Sequence, residues 1–360
     1  MNRTLLPSAP LSLLLLFVPI AVVVGYVAPD RHVLVFATSV LAILPLAACI
    51  GRATEALAER LGGGIGGLLN ATFGNAAELI IGGLALREGL FDLVKASLTG
   101  SIIGNVLLVF GASALVGGLK HPTQRFNRTT AGMGTTMLLL SAIGLVVPAV
   151  FHYLARGRGA PELKLDTEIA VVLLVTYCLS LVFTLVTHRQ LYGVDEHREK
   201  QPTAEGDGGS RRWVLLLLGA TAAVAVVSEM LVGAVAETAS TLGLTELFVG
   251  VIVVALVGNA AEHYSAIVLA ARNDMDAAIA IAVGSSTQIA LFVAPVLILL
   301  SHVIAPRPMD LVFSVFEIVS IAIAVFSISF IAHDGETHWM EGVQLLAIYV
   351  ILALGFFFLP

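Results

Sequence analysis

The chain has 360 residues, of which 58% are hydrophobic and only 12% charged, with a formal net charge of −6 and a mean hydropathy of +0.97. A soluble domain is typically about a quarter charged, so this composition excludes a water-solvated globular fold, and its thinly spread charges offer no basic surface for nucleic acid. Two cysteines, Cys49 and Cys178, lie in different apolar runs and suggest neither a disulfide framework nor a Cys-based metal site.

A bilayer span needs about 20 predominantly apolar residues. The runs between polar breaks predict eleven spans, at 11–28, 32–51, 64–86, 93–118, 131–154, 166–187, 213–236, 246–271, 277–301, 310–332 and 339–359. The first run follows Arg3 as a secretory signal would, yet Tyr26-Val27-Ala28-Pro29 is a poor cleavage site and ten spans follow, so it is expected to remain as a helix. Glu55, Glu59 and Arg60 read as a solvated end of the second helix. The third opens on Gly62-Gly63-Gly64 and Gly66-Gly67 and carries Gly-Asn-Ala-Ala-Glu at 74–78. Residues 189–212 form the only long hydrophilic segment, with five acids balanced by five bases, and suit a flexible linker. The pentapeptide returns in the eighth span at 258–262.

Holding the same offset of 184 residues, Asp92 matches Asp276, Gly100 matches Gly284 and Ser101 matches Ser285. The two copies lie five helices apart, an odd number, so they would cross the membrane in opposite directions. The expected architecture is an all-α integral membrane protein with two five-helix inverted repeats, residues 31–188 and 213–360, plus an additional N-terminal helix in 1–30. Inverted repeats characterise secondary transporters, whose ion sites lie near the midplane where broken helices meet. With the N-terminus cytoplasmic, twelve Lys and Arg fall on inner segments and seven on outer ones, which predicts an outside C-terminus.

An ionisable side chain at the centre of a span costs about 2.5–3.5 kcal/mol on insertion scales. Glu78 and Glu262, equivalent in the repeat, therefore call for a compensating role. Together they offer four oxygens and two charges, which suits a hard divalent cation such as Ca²⁺. Asn75 and Asn259 lie three residues before each Glu, on the same helix face. Ser101, Asn105, Ser285 and Gln288 supply hydroxyls and amides from neighbouring helices, an oxygen inventory that leaves little for zinc or copper. Without the cation, the same carboxylates can hold protons, so proton and divalent ion compete for one set of oxygens. A carrier that crosses only when occupied by one or the other is an antiporter. Glu229 and Glu237, about 80° apart on one helix, Glu317, and His263 beside Glu262 are candidates for a proton pathway. No HExxH, GxSxG or P-loop pattern points to an enzyme.

GNAAELIIGGLAL, GNAAEHYSAIVLAARNDMDAAIAIAVGSSTQIALFVAPVLIL and DGETHWMEG resemble the cation/proton exchanger branch of the Ca²⁺:cation antiporter superfamily, from the second helix onward. The resemblance implies a membrane antiporter that exports or sequesters cytosolic Ca²⁺, sometimes Mn²⁺ or Cd²⁺, against protons and without a cofactor. It implies that Glu78 and Glu262 are the central cation ligands, lined by Asn105 and Gln288. Sodium-coupled branches usually carry a proline where Ala77 and Ala261 stand, and Asn or Asp in place of Gln288, so proton coupling is expected. A Na⁺/Ca²⁺ exchanger and a divalent-cation channel are the alternatives. The balanced linker departs from members with a strongly acidic central helix. A prokaryotic inner membrane is the expected location, with a vacuolar membrane also compatible.

Overall fold

A computed structural model describes residues 9–155, 162–188 and 208–359. Twelve helices are found among them. α1 is Leu11–Val27, with a 3₁₀ turn at Leu14–Leu16; α2 is His32–Phe73, α3 Ala76–Arg87, α4 Phe91–Lys120, α5 Arg128–Ala155, α6 Leu163–Thr187 and α7 Gly208–Leu242. The chain continues with α8 Glu246–Gly258, α9 Ala260–Ala270, α10 Met275–Ile304, α11 Val315–Asp334 and α12 Trp339–Phe358. A short antiparallel pair, β1 (Gln124–Arg125) and β2 (Glu336–Thr337), joins the α4–α5 and α11–α12 connections. Among the described residues eight helices are long and apolar enough to cross a membrane, and the bent pair α8–α9 makes a ninth. The chain is an all-α integral membrane protein. The first and third predicted spans are not among the nine, because α1 is short and the third run is broken within its length.

Several boundaries differ from the sequence expectation. The helical pattern of α2 runs through the predicted break at 52–63, but the chain is not straight there. A Cβ on Gly66 would overlap the carbonyl oxygen of Ala58, whereas eight residues of straight helix would separate the two by about 12 Å. The glycine-rich stretch thus folds the chain back while keeping helical hydrogen bonds, an approach that only a residue without a Cβ allows. The tenth predicted span, 310–332, begins as helix only at Val315. Helix α7 starts at Gly208, so the last five residues of the predicted linker are helical; residues 189–207 lie outside the described residues.

The helices fall into two compact units that do not follow the halves of the sequence. Unit 1 comprises Met1–Leu84 and Cys178–Gly243, and unit 2 comprises Ala85–Tyr177 and Leu244–Pro360. In unit 1, α2 packs along α7. Ile43, Leu46, Ile50, Ala53 and Leu57 on α2 are buried at spacings of three and four, as are Val224, Val227, Leu231 and Val235 on α7, the periodicity of a helix face turned inward. In unit 2, α4 is the central element, 72% of its most apolar window being buried. It packs against α8, α10, α11 and α12. Close approach to α8 depends on glycine: a Cβ on Gly100 would overlap the Val251 carbonyl, and one on Gly250 would lie 2.6 Å from the Ala96 Cβ.

Candidate functional site

Both copies of the pentapeptide interrupt an apolar helix at the same step. In unit 1, α2 ends at Phe73, Gly74 and Asn75 form a turn, and α3 begins at Ala76. In unit 2, α8 ends at Gly258, and α9 begins at Ala260 with its axis turned by 63°. Asn259 holds the bend with φ −95° and ψ 13°, the sparsely populated bridge region. Each asparagine carbonyl accepts a bond from the next turn, Leu79 N–H to Asn75 O at 3.1 Å and His263 N–H to Asn259 O at 3.1 Å. The glutamate thereby falls in the first turn of the following helix in both copies, where the free N–H groups and the helix dipole favour negative charge. Glu78 and Asn75 are buried, and Glu262 is half-buried.

Unit 2 brings four of the predicted groups into one directional chain. His263 Nε2 lies 3.1 Å from Asn105 Oδ1; an amide oxygen only accepts, so the proton of this imidazole belongs on Nε2. Asn105 Nδ2 donates to Asn259 Oδ1 at 3.2 Å, and Asn259 Nδ2 donates to Ser101 Oγ at 2.8 Å and to the Ala255 carbonyl at 2.9 Å. The side chain of the bend residue is thus tied to α4 by two bonds and to its own helix by a third. Asn105 sits in a π-helical turn, Gly104–Val109, and a second such turn, Ile289–Val293, follows directly after Gln288 on α10. π-Turns leave carbonyls out of the regular ladder and recur at functional sites.

Ser285 and Gln288 are half-buried on α10, and the neighbouring Ser286, fully buried, donates to Ala282 O at 2.9 Å and to Ile102 O on α4 at 3.3 Å. Glu229 and Glu237 are exposed on α7 of unit 1. Glu317 is brought to none of these groups. It lies in the first turn of α11, in a capping box with Ser314, and accepts a hydrogen bond from Thr99. Thr99 and Lys95 carry polar packing on a further face of α4 and were not singled out in the sequence. A capping-box spacing, Ser314 to Glu317, was the local signal that could have located Glu317 at a helix start.

Comparison with known proteins places these features in a family. The profile described as Sodium/calcium exchanger protein matches residues 31–186 and 212–358. A Ca(2+)/H(+) antiporter of Synechocystis sp. is 45% identical over 340 residues, 91% of each chain. The Ca(2+)/H(+) antiporter ChaA of Bacillus subtilis is 46% identical over 344 residues, 95% of this chain and 97% of the relative. The solved structure of native YfkE is similar with a TM-score of 0.84 at 43% identity, over 97% of this chain and 100% of the other. The H+/Ca2+ exchanger CAX, at 15% identity and a TM-score of 0.69, shares the fold. The chain belongs to the sodium/calcium exchanger protein family.

Proposed function

We propose that this protein is a Ca²⁺/H⁺ antiporter that removes Ca²⁺ from the cytosol in exchange for protons by alternating access. The observation that carries this reading is the duplicated helix break, in which Gly-Asn interrupts an apolar helix and leaves a carboxylate, Glu78 or Glu262, in the first turn of the next. Relatives named Ca(2+)/H(+) antiporter at 45% and 46% identity support it. Glu78 and Glu262 serve as cation ligands and as the groups that take up protons when the cation leaves. Asn75, Asn259, Asn105, Gln288, Ser101 and Ser285 supply supporting oxygens or hold the bends in place. Glu229 and Glu237 flank a proton pathway on α7, and His263 acts beside Glu262.

The two stretches matched by one family profile, 31–186 and 212–358, support five-helix repeats at 31–188 and 213–360, with an added helix in 1–30 and a linker that ends where α7 begins at Gly208. The excess of Lys and Arg on inner segments favours a cytoplasmic N-terminus and an outside C-terminus in a prokaryotic inner membrane. Mn²⁺ and Cd²⁺ are further candidate substrates for an oxygen site of this kind.

The test is Ca²⁺ uptake into acidic-inside proteoliposomes, with a protonophore control and a Na⁺-gradient arm. Uptake is expected to require the pH gradient and to ignore Na⁺, and to fall to the protein-free level in Glu78→Gln and Glu262→Gln. Uptake that follows Na⁺ alone moves the chain to the sodium-coupled exchangers, and full activity in folded glutamine variants overturns the ligand assignment.

A further inference from the structure

Between α10 and α11, residues 305–314 of unit 2 run without helix, and buried polar side chains hold them in place. Glu317, 3% exposed, uses both carboxylate oxygens: Oε2 accepts the Ser314 N–H at 2.8 Å and Oε1 accepts the Thr99 hydroxyl at 3.1 Å. One turn before Thr99 on α4, the Lys95 ammonium lies 3.2 Å from Asp92 Oδ1 and 3.2 Å from Asp310 Oδ1, and donates to the Val312 carbonyl at 3.0 Å. Asp310 also accepts the Val312 N–H at 3.1 Å, Asp166 on α6 accepts the Leu311 N–H at 3.1 Å, and Ser301 on α10 accepts the Met309 N–H at 2.8 Å. Ser314, Thr99 and the nearby Lys95 act on Glu317 itself, and the remaining groups hold Lys95 and the segment that leads into α11.

The geometry of α4 gives this cluster a consequence. Lys95 and Thr99 are an i, i+4 pair and so share one helix face. Ser101 and Asn105 are another such pair, six residues further on and so rotated from the first by about 240°, which is about 120° the other way round the helix. The helix is therefore gripped on one face and presents Ser101 and Asn105 on a second, where the Asn259 amide meets both. A carboxylate that relays protons must exchange partners, whereas each oxygen of Glu317 is already held by a donor fixed in the backbone or on α4.

We infer that Glu317 is a positioning residue for the cation site and not a step in the proton path. With Lys95 it sets the axial position and rotation of α4, and through α4 the placement of Ser101 and Asn105. This inference rests on the proposal that Ser101 and Asn105 belong to the cation site. Thr99→Val, Thr99→Ser, Glu317→Gln and the Thr99→Val/Glu317→Gln double variant, reconstituted as full-length protein, test it through Ca²⁺ half-saturation, maximal rate and the pH profile of uptake. Thr99→Val and Glu317→Gln are each expected to raise half-saturation by about 3–10-fold, the net worth of one hydrogen bond, with an unchanged pH profile. Thr99→Ser, which keeps the hydroxyl, restores the wild-type value, and the double variant falls short of the product of the two single effects, because the two side chains act on α4 through one contact. A pH profile displaced by Glu317→Gln, or a Thr99→Val protein with wild-type half-saturation, overturns the inference. If Glu317→Gln fails to fold, the Thr99 pair alone decides. Wild-type half-saturation in Ser101→Ala and Asn105→Ala would instead remove the site assignment on which the inference stands.

Discussion

Ser39 and Thr54 on α2, and Ser228 and Thr238 on α7, are at most 1% exposed, and among the described residues their hydroxyl oxygens meet no hydrogen-bond partner. Thr99, Ser101, Asn105 and Asn259 in unit 2 are at most 2% exposed, yet each is bonded to another side chain across helices. Equal burial therefore has two outcomes. Around α4, directional bonds select one register and one rotation. Along α2 and α7, small hydroxyl residues let two helices approach and van der Waals packing of the apolar stripes supplies attraction, with the bond from Arg60 to Ser210 as a directional contact away from these hydroxyls. The contrast teaches that the polar content of a buried helix does not by itself say whether that helix is pinned.

The largest expected effect falls on the pinned side. Asn259→Leu removes the bonds to Asn105, Ser101 and the Ala255 carbonyl, so the Asn105 Nδ2 amine and the Ser101 hydroxyl, both buried on α4, lose the partner they share, while Asn105 Oδ1 keeps only His263. Each stranded group costs about 1–3 kcal/mol, so a loss of about 2–5 kcal/mol is expected, read as a lower thermal midpoint in detergent together with loss of transport. An unchanged midpoint would show that the network does not hold α4 against α8.

A smaller effect is expected where α4 and α8 touch. Gly100→Ala and Gly250→Ala place a methyl against the Val251 carbonyl and the Ala96 Cβ, respectively, and overpacking of this kind costs about 1–3 kcal/mol. Gly284→Ala, with nothing within 4 Å of the added carbon, is the control and is expected to keep the wild-type midpoint. If all three behave alike, close approach at α4–α8 is not what those glycines provide.

Much of this was legible in the sequence because a bilayer makes local rules strict. Most apolar runs gave their spans to within a few residues, although α2 continues well past its predicted end at 51 and the third predicted run is broken; the repeated Gly-Asn step marked both helix breaks, since glycine weakens a helix and asparagine competes for its backbone. What local windows missed depends on distant partners. Leu311-Val312-Phe313 reads as the start of an apolar helix, but Pro306 and Pro308 precede it, and its N–H groups are met by Asp310 and, from far along the chain, by Asp166. The fold-back at Gly66 was hidden for another reason, since the turn keeps helical hydrogen bonding and only the clash of an added Cβ with Ala58 reveals it. The compact units were not readable from chain order, because α2 finds its partner α7 in the other half of the sequence. Glu317 is the instructive case at the site: a carboxylate in an apolar run invites a transport role, while the serine three residues earlier already signals a cap.

The smallest expected effect is the one that most directly tests the contrast between the helix pairs. If the α2 and α7 hydroxyls contribute only small volume, then Ser39→Ala, Ser228→Ala and Thr54→Val should leave the thermal midpoint within about 1 kcal/mol of wild type, or raise it, since a buried polar atom without a partner costs free energy that an apolar atom does not. Thr99→Val is the same chemical change at the same burial, but it also deprives Glu317 of a donor, so it should destabilise by about 1–3 kcal/mol. The four variants measured side by side separate burial from bonding. Equal losses in all four would mean that the hydroxyls of α2 and α7 bond to water or to each other in the membrane, and the pair would then be pinned as firmly as α4. A loss confined to Thr99→Val would show that the buried hydroxyls of α2 and α7 add no directional hold, and would leave that role to contacts such as the bond from Arg60 to Ser210.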